Sequence, residues 1–312
     1  MDLFIDILTR VTLPIIALAA IGWALQPWLR LDIGSLTRLQ VNVVMPAFLV
    51  HFLSAGKQPL DVIWLVATLS VVQFMILIPL GWAVVRVFRQ RSSLGPIMGL
   101  GAAYANVGFF GIPVTQLAFG PEYLLHQSVL TAMTTILMCT LGVWLLAPHD
   151  DSLRSGRARL WSKFRTAFDT PLLPSVALGL ALRYYQVELP PLASQPLQLL
   201  GSIFTPLALY TLGAQIAAAG SLRLEAVPQI IILTLKLLIS PILTWYLCQA
   251  LGVPPDVTHV VVVAAATPVG VLITIFAAEF KTEPEFISTA TVISTALSPL
   301  TVTAWIIAMR MM

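Results

Sequence analysis

The stretch GAAYANVGFFGIPV, residues 101–114, decides how the chain is read. It lies within an apolar segment, yet it holds Asn106, Gly108, Gly111 and Pro113. Asn106 is one of only two asparagines in the chain, the other being Asn42. Glycine loosens a helix and proline removes a backbone donor, so these residues interrupt a helix rather than fill one.

The surroundings make that interruption costly. The chain has 312 residues, of which 58% are hydrophobic and 10% charged, and its mean hydropathy is +0.91. A water-soluble domain cannot hide so much apolar surface, whereas a bilayer does not require it to. A membrane helix needs about 20 apolar residues. On that basis the chain divides into ten spans, at 7–26, 35–54, 61–85, 95–119, 123–147, 171–187, 196–219, 226–250, 257–280 and 286–309. The predicted fold is an all-α polytopic membrane protein. No cleaved leader is predicted, because Met1 to Asp6 carries two acids and no base. Cys139 and Cys248 fall inside spans and read as small buried hydrophobes, with no metal or disulfide pattern.

Basic residues are distributed unevenly. Arg30, Arg38, Arg86, Arg89, Arg91, Arg154, Arg157, Arg159, Lys163, Arg165, Arg223 and Lys281 follow odd-numbered spans, while only Arg10, Lys57, Arg183 and Arg310 lie on the other side. The positive-inside rule then places both termini on the non-cytoplasmic side. The basic run at 154–165 reads as a topology-fixing cytoplasmic loop rather than a nucleic-acid patch.

The prolines disclose an internal repeat. Pro14, Pro46, Pro79 and Pro121 are separated by 32, 33 and 42 residues; Pro174, Pro206, Pro241 and Pro284 by 32, 35 and 43. TLPIIALAAIGWAL (12–25) aligns with LLPSVALGLALRYY (172–185), and PEYLL (121–125) with PEFIS (284–288). The predicted organisation is a five-helix repeat at 1–148, a short basic loop at 149–168 and a second repeat at 169–312. An odd number of spans per repeat inverts the second half, a layout of many secondary transporters that bind substrate where the repeats meet.

Within that alignment AAYANVG (102–108) lies over AAATPVG (264–270), so spans four and nine are both predicted to break at similar depth. Unwound backbone is tolerated in a bilayer only where protein or a cavity satisfies it. Two crossed breaks would present half-helix N-termini, which favour anions. Asn106, Gly108, Gly111, Pro113, Thr267, Pro268 and Gly270 are therefore the candidate binding residues. Thr131, Thr134 and Thr135 of span five flank them, as do Ser294, Thr295 and Ser298 of span ten, although such hydroxyls commonly bond to their own helix. Lys236 is the only Lys or Arg well inside a span, and two readings stand: charge support for an anion or ion, or snorkelling to an interface. Gln73 is its neutral neighbour candidate. His51 and His126 lie near span ends, where hydrogen bonding or a protonation role are both open.

The pattern Ala103, Asn106, Gly108, Phe109, Gly111–Ile112–Pro113 resembles the auxin efflux carrier family, bacterial permeases and plant carriers alike. MPAFLVHFLS (45–54), TPLALYTLGAQI (205–216) and VISTALSPLT (292–301) resemble further motifs of that family, so the resemblance covers essentially the whole chain. It implies an elevator-type carrier of small organic anions, working as a homodimer. The implied scaffold is spans 1, 2, 6 and 7, including Asn42, Pro46 and Leu49; spans 3–5 and 8–10 form the mobile part. Plant carriers have a serine where this chain has Leu49, and a long central loop that it lacks. A carboxylate such as malonate and an auxin-like acid both stand as substrates. Coupling to Na+ or H+ is left open, and no other cofactor is implied.

Two rival classes make different demands on the sequence. A cation antiporter needs a mid-span acid, whereas Asp32, Asp61, Asp169 and Asp256 fall at span ends or loops. A sodium-coupled bile-acid-type carrier stays open, since backbone carbonyls and hydroxyls suffice to hold the ion. An intramembrane enzyme would need an Asp pair, a Ser with a His, or zinc ligands, none of which is evident.

Overall fold

In a computed structural model of the chain, residues 2–55, 62–146, 171–218 and 224–312 are described below. The predicted basic loop at 149–168 lies outside them. Among the described residues the chain is helical, and its one β-type pairing is an isolated antiparallel bridge between Ala105 and Val269.

Among the described residues, seven helices are long and apolar enough to cross a membrane. We label them α1 (Ile5–Leu29), α2 (Ile33–Ala55), α3 (Ile63–Val87), α6 (Pro121–Leu146), α8 (Pro191–Ala218), α9 (Ala226–Leu251) and α12 (Pro284–Met311). Five shorter helices complete the order: α4 (Leu94–Ala103), α5 (Val107–Ala118), α7 (Leu172–Tyr184), α10 (Pro255–Ala265) and α11 (Val271–Phe280). The long helices fall on predicted spans one, two, three, five, seven, eight and ten. Predicted spans four and nine are each split into two half-helices, α4–α5 and α10–α11. The protein is a polytopic all-α membrane protein.

The ladder prolines act locally through wide turns. A proline supplies no N–H and its ring crowds the carbonyl four residues back. Before Pro14, Pro46 and Pro241 the helix loosens into a π turn, at Leu8–Thr12, Gln40–Val44 and Leu235–Ile239. The residue ahead of each ring then reaches back five positions: Leu13 N–H to Leu8 O, Met45 N–H to Gln40 O, Ser240 N–H to Leu235 O. Such turns recur at functional sites, because they re-aim the side chains around them.

Packing relies on small residues, as membrane helices without a hydrophobic drive between them require. A Cβ at Gly22 would overlap the Tyr210 carbonyl, and one at Gly213 the Ala19 carbonyl, so α1 and α8 meet backbone to backbone. Gly179 seats α7 against Leu49 and Leu53 of α2, and Gly201 seats α8 against Phe48. Gly81 and Gly99 do the same for α3 and α4, while Gly101 receives Ile232 of α9 and Ile287 of α12. These close approaches sort the helices into two groups: α1, α2, α7 and α8 on one hand, and α3, α4, α9 and α12 on the other.

At one end of the second group Arg91, after α3, ties two helix starts together. Its guanidinium donates to Glu225, which precedes α9, with Nη2 to Oε1 at 2.9 Å. It also donates to Glu283, which precedes α12, with Nε to Oε1 at 2.8 Å. Ser93 Oγ adds a bond to Glu283 at 2.6 Å. Carboxylates are favoured at helix N-termini, and both hold the Arg91 guanidinium well above its ordinary range. At the start of α2, Asp32 accepts from Ser35 Oγ at 2.6 Å and from the N–H groups of Gly34 and Ser35, which holds its carboxyl below the usual carboxylate range.

Candidate functional site

The two breaks meet and complete one another's backbone. Asn106 N–H donates to Pro268 O at 2.8 Å, and Gly270 N–H donates to Tyr104 O at 3.0 Å. Tyr104 and Gly270 are extended, with ψ of 101° and 142°. This short ladder is the Ala105–Val269 bridge. It answers the demand that buried backbone groups be paired where a helix stops.

Beyond the shared ladder the two breaks differ. At the second, Val269 N–H donates to Ser294 Oγ at 3.1 Å, and Thr267 Oγ1 donates to Ala264 O at 2.7 Å. The Lys236 ammonium, fully buried in the π turn of α9, donates to Ala265 O at 2.9 Å. A cation at the C-terminal end of α10 is favourably placed against the helix dipole. Lys236 Nζ is thus turned inward, to the second break. At the first break the Asn106 carbonyl accepts from Phe110 and Gly111, at 3.2 and 3.0 Å. The Asn106 amide Nδ2, in a residue only 4% exposed, is left without a partner.

Asn106 belongs to the lining of a cavity of about 180 Å³. Its walls are Thr37, Val41 and Met45 from α2, Tyr104 to Phe109 from the first break, Thr131 and Thr135 from α6, Leu172 from α7, and Val271, Leu272 and Ile275 from α11. No charged side chain is among them. The first N–H groups of a helix lack intrahelical partners. Here the first turns of both α5 (Val107, Gly108, Phe109) and α11 (Val271, Leu272) form part of the wall. Thr131 and Thr135 have donated their hydroxyl hydrogens to Gln127 O and Thr131 O, at 2.8 and 2.7 Å, so toward the cavity they only accept. The wall thus combines Asn106, the hydroxyl-bearing Thr37 and Tyr104, and two helix starts with apolar side chains.

The remaining predicted residues stand around this cavity rather than in it. Gly111 makes room for Gln127, whose Nε2 a Cβ would overlap. Gly270 makes room in the same way for the Tyr104 ring. Pro113 is buried in the first turns of α5. Thr267 and Pro268 are spent on the second break, as is Ser294. Thr134 and Gln73 line a space of about 10 Å³ beside Ala105, Val107 and Ala265, and Gln73 Nε2 donates to Ser240 Oγ at 3.1 Å. Thr295 and Ser298 bond back to their own helix at 2.7 Å each. Asn42 is exposed and donates to Arg38 O, Pro46 follows the π turn of α2, and Leu49 is buried in the core.

Sequence reasoning missed Gln127. Its Nε2 donates to Val107 O at 2.6 Å and its Oε1 accepts from Thr115 at 3.1 Å, which clamps the start of α5. An amide alone in the apolar run of span five was the available signal. It also missed the α2 face at 37, 41 and 45, a run with four-residue spacing.

Buried, hydrogen-bonded helix breaks beside a small cavity, within a bundle of apolar helices, are the architecture of an integral membrane transporter. The chain belongs to the membrane transport protein family, whose model matches residues 7–306; this is the auxin efflux carrier family to which the motifs point. It is also similar to an uncharacterized transporter of Methanothermobacter thermautotrophicus, 26% identical over 312 residues, which takes in 95% of this chain and 97% of that protein.

Proposed function

We propose that the protein is a secondary transporter of a small organic anion, specifically a monocarboxylate with an apolar body. The observation that carries this reading is a mostly apolar cavity walled by Asn106, whose amide Nδ2 is unpartnered, and by two half-helix N-termini. Two helix starts and an amide suit one carboxylate, since helix N-termini favour anions without a counter-charge in contact. A second carboxylate, as in malonate, would enter a wall that is mostly apolar and holds no charged side chain, and burying a charge without a partner is costly. Lys236 acts as charge support, adding a positive field near the breaks.

Movement follows an elevator. The ten spans form two inverted repeats; α1, α2, α7 and α8 are the scaffold, and α3–α6 with α9–α12 travel with the crossed breaks. Supporting this split, the glycine-mediated backbone approaches stay within a group. Among the described residues, side-chain bonds between the groups are few: Thr12 with Thr303, Thr205 Oγ1 to Gln116 Oε1 at 2.6 Å, and the Arg310–Asp6 ion pair at 3.8 Å. The cavity is bounded by α2 and α7 from one group and by the breaks, α6 and α11 from the other, so sliding changes its access. The protein works in the inner membrane as a homodimer through the scaffold helices, with both termini on the non-cytoplasmic side.

Flux of radiolabelled benzoate and malonate into proteoliposomes, with sodium and proton gradients varied, tests this. Faster uptake of benzoate is expected. Uptake of malonate at ten times the benzoate rate would reject the substrate class, and no uptake of any carboxylate would reject the transport reading.

A further inference from the structure

A second cavity, of about 360 Å³, lies away from the breaks. Ile15, Ile16, Ala19 and Trp23 of α1 and Leu209 and Leu212 of α8 form one side; Phe110 with Thr295, Ala296, Pro299 and Leu300 of α12 forms the other. Its one hydroxyl among these, Thr295, has already donated to Thr291 O at 2.7 Å. Where the first cavity offers a spare amide, this one presents no such donor, so a polar solute gains nothing there. An empty apolar space of this size forfeits dispersion contacts along its whole lining.

What fills it follows from where it opens. The stretches 15–23 and 295–300 lie well inside α1 and α12, at hydrocarbon depth for helices of that length. At its mouth Trp23 is 56% exposed and Leu300 67% exposed, continuous with the apolar outer face of both helices. In a bilayer that face meets acyl chains, so the groove is a recess in the lipid-facing surface. We propose that it is a binding site for one acyl chain of a membrane phospholipid, seated between α1–α8 and α12–Phe110. Under the elevator movement, that chain sits on the sliding boundary and lubricates it; this consequence rests on the two-group reading, whereas occupancy itself does not.

Photolabelling tests the site. Protein in nanodiscs of phosphatidylcholine bearing a mid-chain diazirine is irradiated and its adducts mapped by mass spectrometry. Adducts are expected on Ile15, Leu209 and Leu212, which are only 3%, 0% and 3% exposed, as well as on the lipid-facing Trp64. Ala296→Phe and, separately, Ala20→Phe fill the groove from its exposed rim; each should lower labelling of those three residues at least five-fold and leave Trp64 unchanged. A thermal melt confirms that each variant is folded. Labelling of Trp64 without labelling of the three buried residues overturns the proposal, as does undiminished labelling in both filled variants. Labelling that appears only when the protein is diluted to monomers assigns the groove to a second copy of the chain and overturns it too.

Discussion

The first and second helix breaks are paired through one short ladder but are finished differently. At the second, each polar group described has a partner: Pro268 O takes Asn106 N–H, Val269 N–H has Ser294, Gly270 N–H has Tyr104 O, and Ala265 O has Lys236. At the first, the Asn106 amide is left over, and Asn106 belongs to the cavity lining. Similar interruptions thus serve two ends. The saturated one is held by its partners, whereas the unsaturated one keeps an amide without a protein partner.

That contrast is open to attack by substitution. Asn106→Ala should reduce carboxylate affinity about 10- to 100-fold, the loss of a hydrogen bond to a charged group, with the melting temperature almost unchanged; isothermal titration with benzoate measures it. Gly270→Ala should do the reverse. A Cβ there overlaps the Tyr104 ring, so about 1–3 kcal/mol of stability is expected to go, read by thermal unfolding in detergent. Ser294→Ala should cost about 1 kcal/mol, by stranding the Val269 N–H, and leave affinity within a few-fold. Equal affinity losses in the Asn106 and Ser294 variants would erase the distinction between the breaks. Arg91→Ala, remote from both, should cost at most about 1 kcal/mol because the guanidinium is partly exposed, with the difference shrinking as salt is raised; an effect on affinity would show that the Arg91 cluster reaches the cavity.

How far these features were legible in the sequence depended on their chemistry. The breaks were legible, because Asn, Gly and Pro in an apolar run have few other uses, and the matching proline intervals put AAYANVG over AAATPVG. The different finish of the two breaks was not. It depends on which distant side chains arrive: Ser294 and Lys236 at one, nothing at the amide of the other. Spacing alone predicts neither partner. Gly111 and Gly270 read as ligand approaches from sequence, yet each accommodates a neighbouring side chain, Gln127 and Tyr104. The cavity walls from α2 and α11 were silent because Val41, Met45 and Leu272 look like any lipid-facing residue until the fold turns them inward.

The account rests on the first break's spare amide being the anion's donor. A cryo-EM structure of the protein with bound benzoate tests this most directly. We expect the carboxylate within hydrogen-bond distance of Asn106 Nδ2, facing the first turns of α5 and α11, with the Asn106–Pro268 and Tyr104–Gly270 bonds intact. A carboxylate held elsewhere, or breaks drawn apart to admit it, would contradict the account.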